Sequence, residues 1–138
     1  MEGGDIDVEG WDEILCRKGK ISYGNDLLSG CTLPTTSVID GDIIRALGWL
    51  QMPTIEFMCG DLVWRDIGSK LGILECRQDV IVEHRHWSAF KREPDATTMK
   101  VNSAKQMQRD NIAYRDWAHN HMAHDIIKIQ EALCVKSV

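Results

Sequence analysis

Cys59-Gly-Asp-Leu-Val-Trp-Arg-Asp-Ile-Gly-Ser-Lys-Leu-Gly72 reads as a helix that opens at Gly60 or Asp61 and stops at Gly72. Leu62, Trp64, Ile67 and Leu71 are its apolar residues, and a glycine just past the last of them is a common helix stop. Two short strand readings follow, Ile73–Glu75 and Val80–His84. In the second, Val80, Val82 and His84 fall on one face and Ile81 and Glu83 on the other, because side chains alternate along a strand. A helix delivered straight into strands predicts an α/β chain.

The same order is legible upstream. Trp11 to Arg17 is a short helical candidate with Trp11, Ile14 and Leu15 at i, i+3 and i+4. Lys20-Ile-Ser-Tyr23 reads as a strand that ends in the turn residues Gly24-Asn25-Asp26. Thr32 to Ile39 reads as an extended edge segment around Pro34. Asp40 is placed to cap a helix over Gly41–Leu47, which Gly48 ends; Ile43, Ile44 and Leu47 form its apolar stripe. Downstream, Lys91 to Thr97 is a polar loop, and residues 98–134 form a helical C-terminal segment of one helix or two. The expected architecture is a short mixed sheet with flanking helices and a long C-terminal helical segment, all in one domain over residues 1–138. Residues 1–10, rich in Gly and Asp, read as a loop.

Composition narrows the functional classes. The chain has 138 residues, 43% of them hydrophobic and 27% charged, which fits a globular chain. A net charge of −5 disfavours a duplex nucleic-acid footprint, which is normally basic. No run approaches the roughly 18 apolar residues of a membrane span. Five cysteines without a Cys-x-x-Cys pair argue against a zinc ribbon. An odd count with no apolar leader suggests reduced thiols and a cytoplasmic setting.

Several residues could carry chemistry. Asp61 is either a helix N-cap or a general base at a helix N-terminus, where the dipole would keep it ionised. His84 and His86, two apart in a strand reading, share a face and can serve as metal ligands, substrate contacts or plain strand-end residues. Asp5-Ile-Asp7 is an Asp-x-Asp, a spacing at which two carboxylates can share Mg²⁺ or Mn²⁺. It also begins like an EF-hand loop, but Cys16 stands where that loop needs Glu, and calcium is set aside. His119, His121 and His124, with Asp125, are either an exposed polar helix face or a chelating pair at i and i+3. The five tryptophans are either core or the rim of a sugar or base site.

Taken in order, the series reads Asp5-Ile-Asp7, Gly10-Trp-Asp12, Tyr23-Gly-Asn-Asp-Leu27, Leu33-Pro-Thr35 and Ile43-Ile-Arg-Ala-Leu-Gly48. It continues with Gly60-Asp-Leu-Val-Trp-Arg-Asp-Ile-Gly68, Glu83-His-Arg-His86 and Asp95-Ala-Thr97. This resembles the C-terminal, catalytic and acceptor half of GT-A-type glycosyltransferases, in particular the family-2-like proteins of phages and bacteria. The resemblance covers roughly residues 3 to 118. It implies a metal-dependent transfer of a sugar from a nucleotide-sugar to a hydroxyl acceptor. Asp61 would be the acceptor's base. Asp5, Asp7 and His84 or His86 would hold Mn²⁺ or Mg²⁺. Asp26, Gly60, Trp64 and Trp87 would contact substrate. Two departures stand out. Asn25 occupies a position where such sequences often carry an acid. A complete GT-A domain also has a nucleotide-binding βαβ half ahead of its Asp-x-Asp, and here four residues precede Asp5. The expectation is therefore a fragment, a chain completed by a partner, or a homodimer that covers the surface left bare. The alternative is a non-catalytic module that binds a nucleotide, a sugar or a protein.

Overall fold

The computed structural model describes residues 4–6, 10–56, 59–84 and 104–136. The chain is mixed α/β, as expected. In order it runs β1 (Gly4–Ile6), α1 (Trp11–Leu15), β2 (Ile21–Asn25), β3 (Ser37–Ile39), α2 (Gly41–Leu47), α3 (Gly60–Leu71), β4 (Leu74–His84), α4 (Ala104–Asn120) and α5 (Met122–Lys136). The strands form one sheet in the order β1-β4-β2-β3. β2 runs parallel to β4; the pairs β1–β4 and β2–β3 are antiparallel. The extended segment around Pro34 does lead into the edge strand, β3.

β2 is the buried heart of the sheet, with Ile21, Ser22, Tyr23 and Gly24 all buried. Its partner β4 is one strand where two were expected. Gly24 pairs with Arg77 but the next residue, Asn25, pairs with Ile81, so β4 carries a bulge over the polar residues that interrupt its apolar pattern. At the bulge, Arg77 clasps Asp79 through Nε (3.1 Å) and Nη2 (2.9 Å). The two strands come so close there that a Cβ on Gly24 would stand 2.4 Å from the Val80 carbonyl oxygen. Only glycine fits that approach.

Two apolar clusters lie on opposite faces of the sheet. The larger joins Ile21 of β2 to Ile43 and Leu47 of α2, Val63, Trp64 and Ile67 of α3, Trp117 of α4 and Ile129 of α5. The smaller joins Leu15 of α1 to Val80 and Val82 of β4. Successive residues of β3 show the division: Ile39 packs on the first cluster and Val38 on the second. Each fully buried aliphatic side chain contributes about 1.5–3 kcal/mol to folding. Four helices thus cover one face and α1 the other.

The helix ends follow local chemistry. Asp40 caps α2, its carboxylate accepting from the Asp42 N–H (3.0 Å) and also from the Gly19 N–H. Gly48 and Gly72 close α2 and α3 in the left-handed conformation. The long C-terminal segment is two helices, broken at His121. None of the described helices is long and apolar enough to cross a membrane.

Two further expectations are overturned. Within residues 1–10, read as a loop, Gly4–Ile6 forms strand β1 because its backbone pairs with the open edge of β4. Cys31 and Cys76 form a disulfide, their Cα atoms 5.7 Å apart, so not all the thiols are reduced. The pairing follows from topology, because Cys76 of β4 lies directly across from Tyr23 of β2, and the Tyr23 hydroxyl donates to the Cys31 carbonyl at 2.6 Å. The loop after β2 is thereby folded back onto the strand that Cys76 occupies. Cys16, Cys59 and Cys134 are free.

Candidate functional site: an acid pair at the end of a parallel strand

β2 ends at Asn25, and the next residue, Asp26, organises the loop that follows. Its Oδ1 accepts from the N–H groups of Leu28 (2.9 Å), Ser29 (2.6 Å) and Gly30 (3.1 Å). Its Oδ2 accepts from the Thr35 hydroxyl at 2.6 Å. Asp26 is only 1% exposed. Burial alone would raise its pKa, but these four donors outweigh that and hold the carboxyl below the ordinary carboxylate range. Asp26 is thus a buried, fixed anion. Beside it, Leu27 takes a positive φ of 64° while half its surface is exposed.

Asp61, in the first turn of α3, lies within reach of the charge of this anion. It is not the N-cap, a role that falls to Cys59, whose φ is 70° and whose side chain makes no capping bond. The dipole does not keep Asp61 at an ordinary acidity either. Burial pushes its carboxyl up to about 6, and the charge of Asp26 adds to the rise. The reason is physical: a helix terminus supplies partial charge, whereas desolvation and a neighbouring full charge both oppose ionisation. A side chain at Gly60 would meet nothing within 4 Å, so space is open next to Asp61. The pair sits at the carboxyl end of β2 beside its parallel neighbour, the end at which open α/β sheets commonly bind ligands.

The other expected residues fall elsewhere. Trp64 is core: it is 6% exposed, packs on Trp49 with ring centroids 5.7 Å apart, and donates its Nε1–H to the Leu50 carbonyl (3.1 Å). It is not at a substrate rim. β1 lies along β4 with Asp5 across from Glu83 and Gly4 across from His84. Among the described residues, no group of three or more His, Cys, Asp or Glu could hold a metal ion. Asp7, His86 and Trp87 lie outside the described residues. His119 stands exposed in the last turn of α4, His121 is the α4–α5 break itself, and His124 lies in the first turn of α5.

The sequence singled out Asp26 and Asp61 separately but did not show that the charge of one acts on the other. The available signal was the Asp right after a buried strand followed nine residues later by Thr35, a donor able to fix it. Compared with known proteins, the chain matches no family model, no curated protein and no solved structure.

Proposed function

We propose that this protein is a glycosyltransferase-like enzyme in which Asp61 takes the proton from an acceptor hydroxyl as a sugar is transferred to it. The observation that carries the reading is the acid pair: a carboxyl raised to about 6 next to a carboxylate held ionised. Two carboxyls whose environments drive their pKa values apart are the arrangement that acid–base catalysis uses. A base with a pKa near 6 is mostly ionised at neutral pH yet more basic than an ordinary aspartate, which suits it to accept a proton in the transition state. Asp26 would not transfer protons. It would keep Asp61 basic and hold the loop that borders the site. The order of motifs from Asp5-Ile-Asp7 to Glu83-His-Arg-His86 supports sugar transfer as the reaction.

A divalent ion, Mn²⁺ or Mg²⁺, belongs to this proposal through Asp5 and Asp7; when bound, such an ion offsets charge on a leaving diphosphate. The test is calorimetric titration of nucleotide-sugars with and without Mn²⁺, paired with a transfer assay to a panel of hydroxyl acceptors. Wild-type protein should bind and turn over. Asp61→Asn should bind equally and lose about a hundredfold or more in turnover, the usual worth of a general base. Equal turnover in the variant would remove Asp61 from the chemistry, and no binding of any nucleotide-sugar by the wild type would sink the enzyme reading.

A further inference from the structure

A concavity lies on the helical side of the molecule, away from the acid pair in sequence and built from different elements. It occupies about 260 Å³ between the connection that follows α2 and the break between α4 and α5. Trp49 lines it from the first side; Trp117, Asp116, His121, His124 and Lys128 line it from the second. The break makes the site: by ending α4 at Asn120 and starting α5 at Met122, it turns the side chains of two helices into one wall.

That wall is held in place by its own bonds. Trp117 is 3% exposed and donates its Nε1–H to Asp125 Oδ2 at 2.8 Å. Asp125 is itself buried, and its other oxygen lies 3.8 Å from Lys128 Nζ. Asp116 accepts from the Asn120 amide (2.8 Å) and stands 3.6 Å from His121 Nε2. Trp49 is fixed from behind by Trp64. The buried bond between Trp117 and Asp125 therefore fixes the floor of the cleft before any ligand arrives, which lowers the entropy cost of binding.

The chemistry of the lining selects a ligand class. A small anion entering here would meet the carboxylates of Asp116 and Asp125. A small cation would find Asp125 already engaged by Trp117 and Lys128, which leaves it the exposed Asp116 alone. A neutral molecule rich in hydroxyls finds both acceptors and donors in one wall, and imidazoles that supply either. The half-buried Trp49 offers an apolar indole face, suited to the C–H face of a ring whose rim carries hydroxyls. The volume lies just under the range of drug-sized sites, which matches a single six-membered ring. We infer that the cleft between Trp49 and residues 121–128, from the break into the start of α5, binds a neutral pyranose ring, without acting on it.

The inference does not rest on the reaction at Asp61, and its test leaves Asp61 untouched. Methyl glycosides of glucose, galactose, mannose and N-acetylglucosamine would be screened by saturation-transfer NMR and the binders titrated. At least one should bind through one face of its ring, and His124→Ala and Lys128→Ala should each weaken it by about tenfold, the effect of a lost hydrogen bond. Both side chains are exposed, so these variants should keep the wild-type circular dichroism. Trp49→Ala should abolish binding. The inference is overturned if no glycoside binds, if binding is unchanged in His124→Ala and Lys128→Ala, or if putrescine or inorganic phosphate occupies the cleft while every neutral glycoside fails.

Discussion

The charge of Asp26 helps keep the carboxyl of Asp61 protonated up to about pH 6. The two residues come from different elements, a strand end and a helix start, and the fold alone makes them neighbours. One is buried with four hydrogen-bond donors and the other is partly buried. The donors decide which of the two gives up its proton first.

This relationship makes stability depend on pH in a definite direction. Asp61 has a folded-state pKa near 6 against an ordinary 3.8, so between those values the folded protein holds a proton that the unfolded chain has released. Stability therefore falls as pH rises through that window. Asp61→Asn removes the penalty, and we expect it to stabilise the fold by about 2 kcal/mol at pH 7.5 and by less than about 0.5 kcal/mol at pH 4, allowing for its partial exposure. Urea denaturation of both proteins at the two pH values measures this. A variant less stable than wild type at pH 7.5 would contradict it.

Asp26→Asn should lower the pKa of Asp61, since it removes a charge while leaving an oxygen to accept from Leu28, Ser29 and Gly30. The Asp61 carboxyl resonance, followed by carbon NMR across pH 3–8, should titrate below its wild-type midpoint. The acid limb of any activity profile should move down with it. An unmoved midpoint would assign the whole shift to burial.

The disulfide can be counted and removed. Of the five cysteines, three should react with a thiol reagent in the denatured, unreduced protein and all five after reduction. Cys31→Ser with Cys76→Ser, or reduction alone, should cost about 2–4 kcal/mol of stability, because the bond closes a long loop in the unfolded chain. Five reactive thiols before reduction would show the bond absent.

Gly24→Ala should damage the sheet at its centre. The added methyl would press against the Val80 carbonyl, backbone that cannot swing aside. A loss of about 1–3 kcal/mol is expected from overpacking of this kind. Thermal melts of Gly24→Ala and, as a control, Gly60→Ala, which meets open space, should differ by several degrees.

Much of the fold is legible residue by residue. Asp40 and Gly48 bracket α2, and Gly72 ends α3, because capping is local chemistry that a short stretch of sequence carries in full. The joined β4 was not legible: Arg77-Gln-Asp79 breaks the apolar alternation, and only the pairing with β2 shows that the strand continues through it. The disulfide was hidden for a related reason, since 45 residues separate its cysteines and sequence spacing carries no register. In the site, each acid was visible but their mutual effect was not. A helix-terminal Asp predicts an ordinary or lowered pKa; the opposite shift came from burial and a neighbour 35 positions away. Trp64 illustrates the same limit, because a tryptophan in a helix reads alike whether it faces core or rim.

The bond between Cys31 and Cys76 has one more consequence. It encloses β3, α2, α3 and the first residues of β4 in a covalent ring, with both termini outside it. Denatured without reductant, the protein is a closed circle with two tails rather than an open string. It should expose less surface than a linear chain of equal length, and so show a shallower dependence on denaturant. A single proteolytic nick in the 49–56 connection would leave the two fragments travelling as one molecule until a reductant separates them.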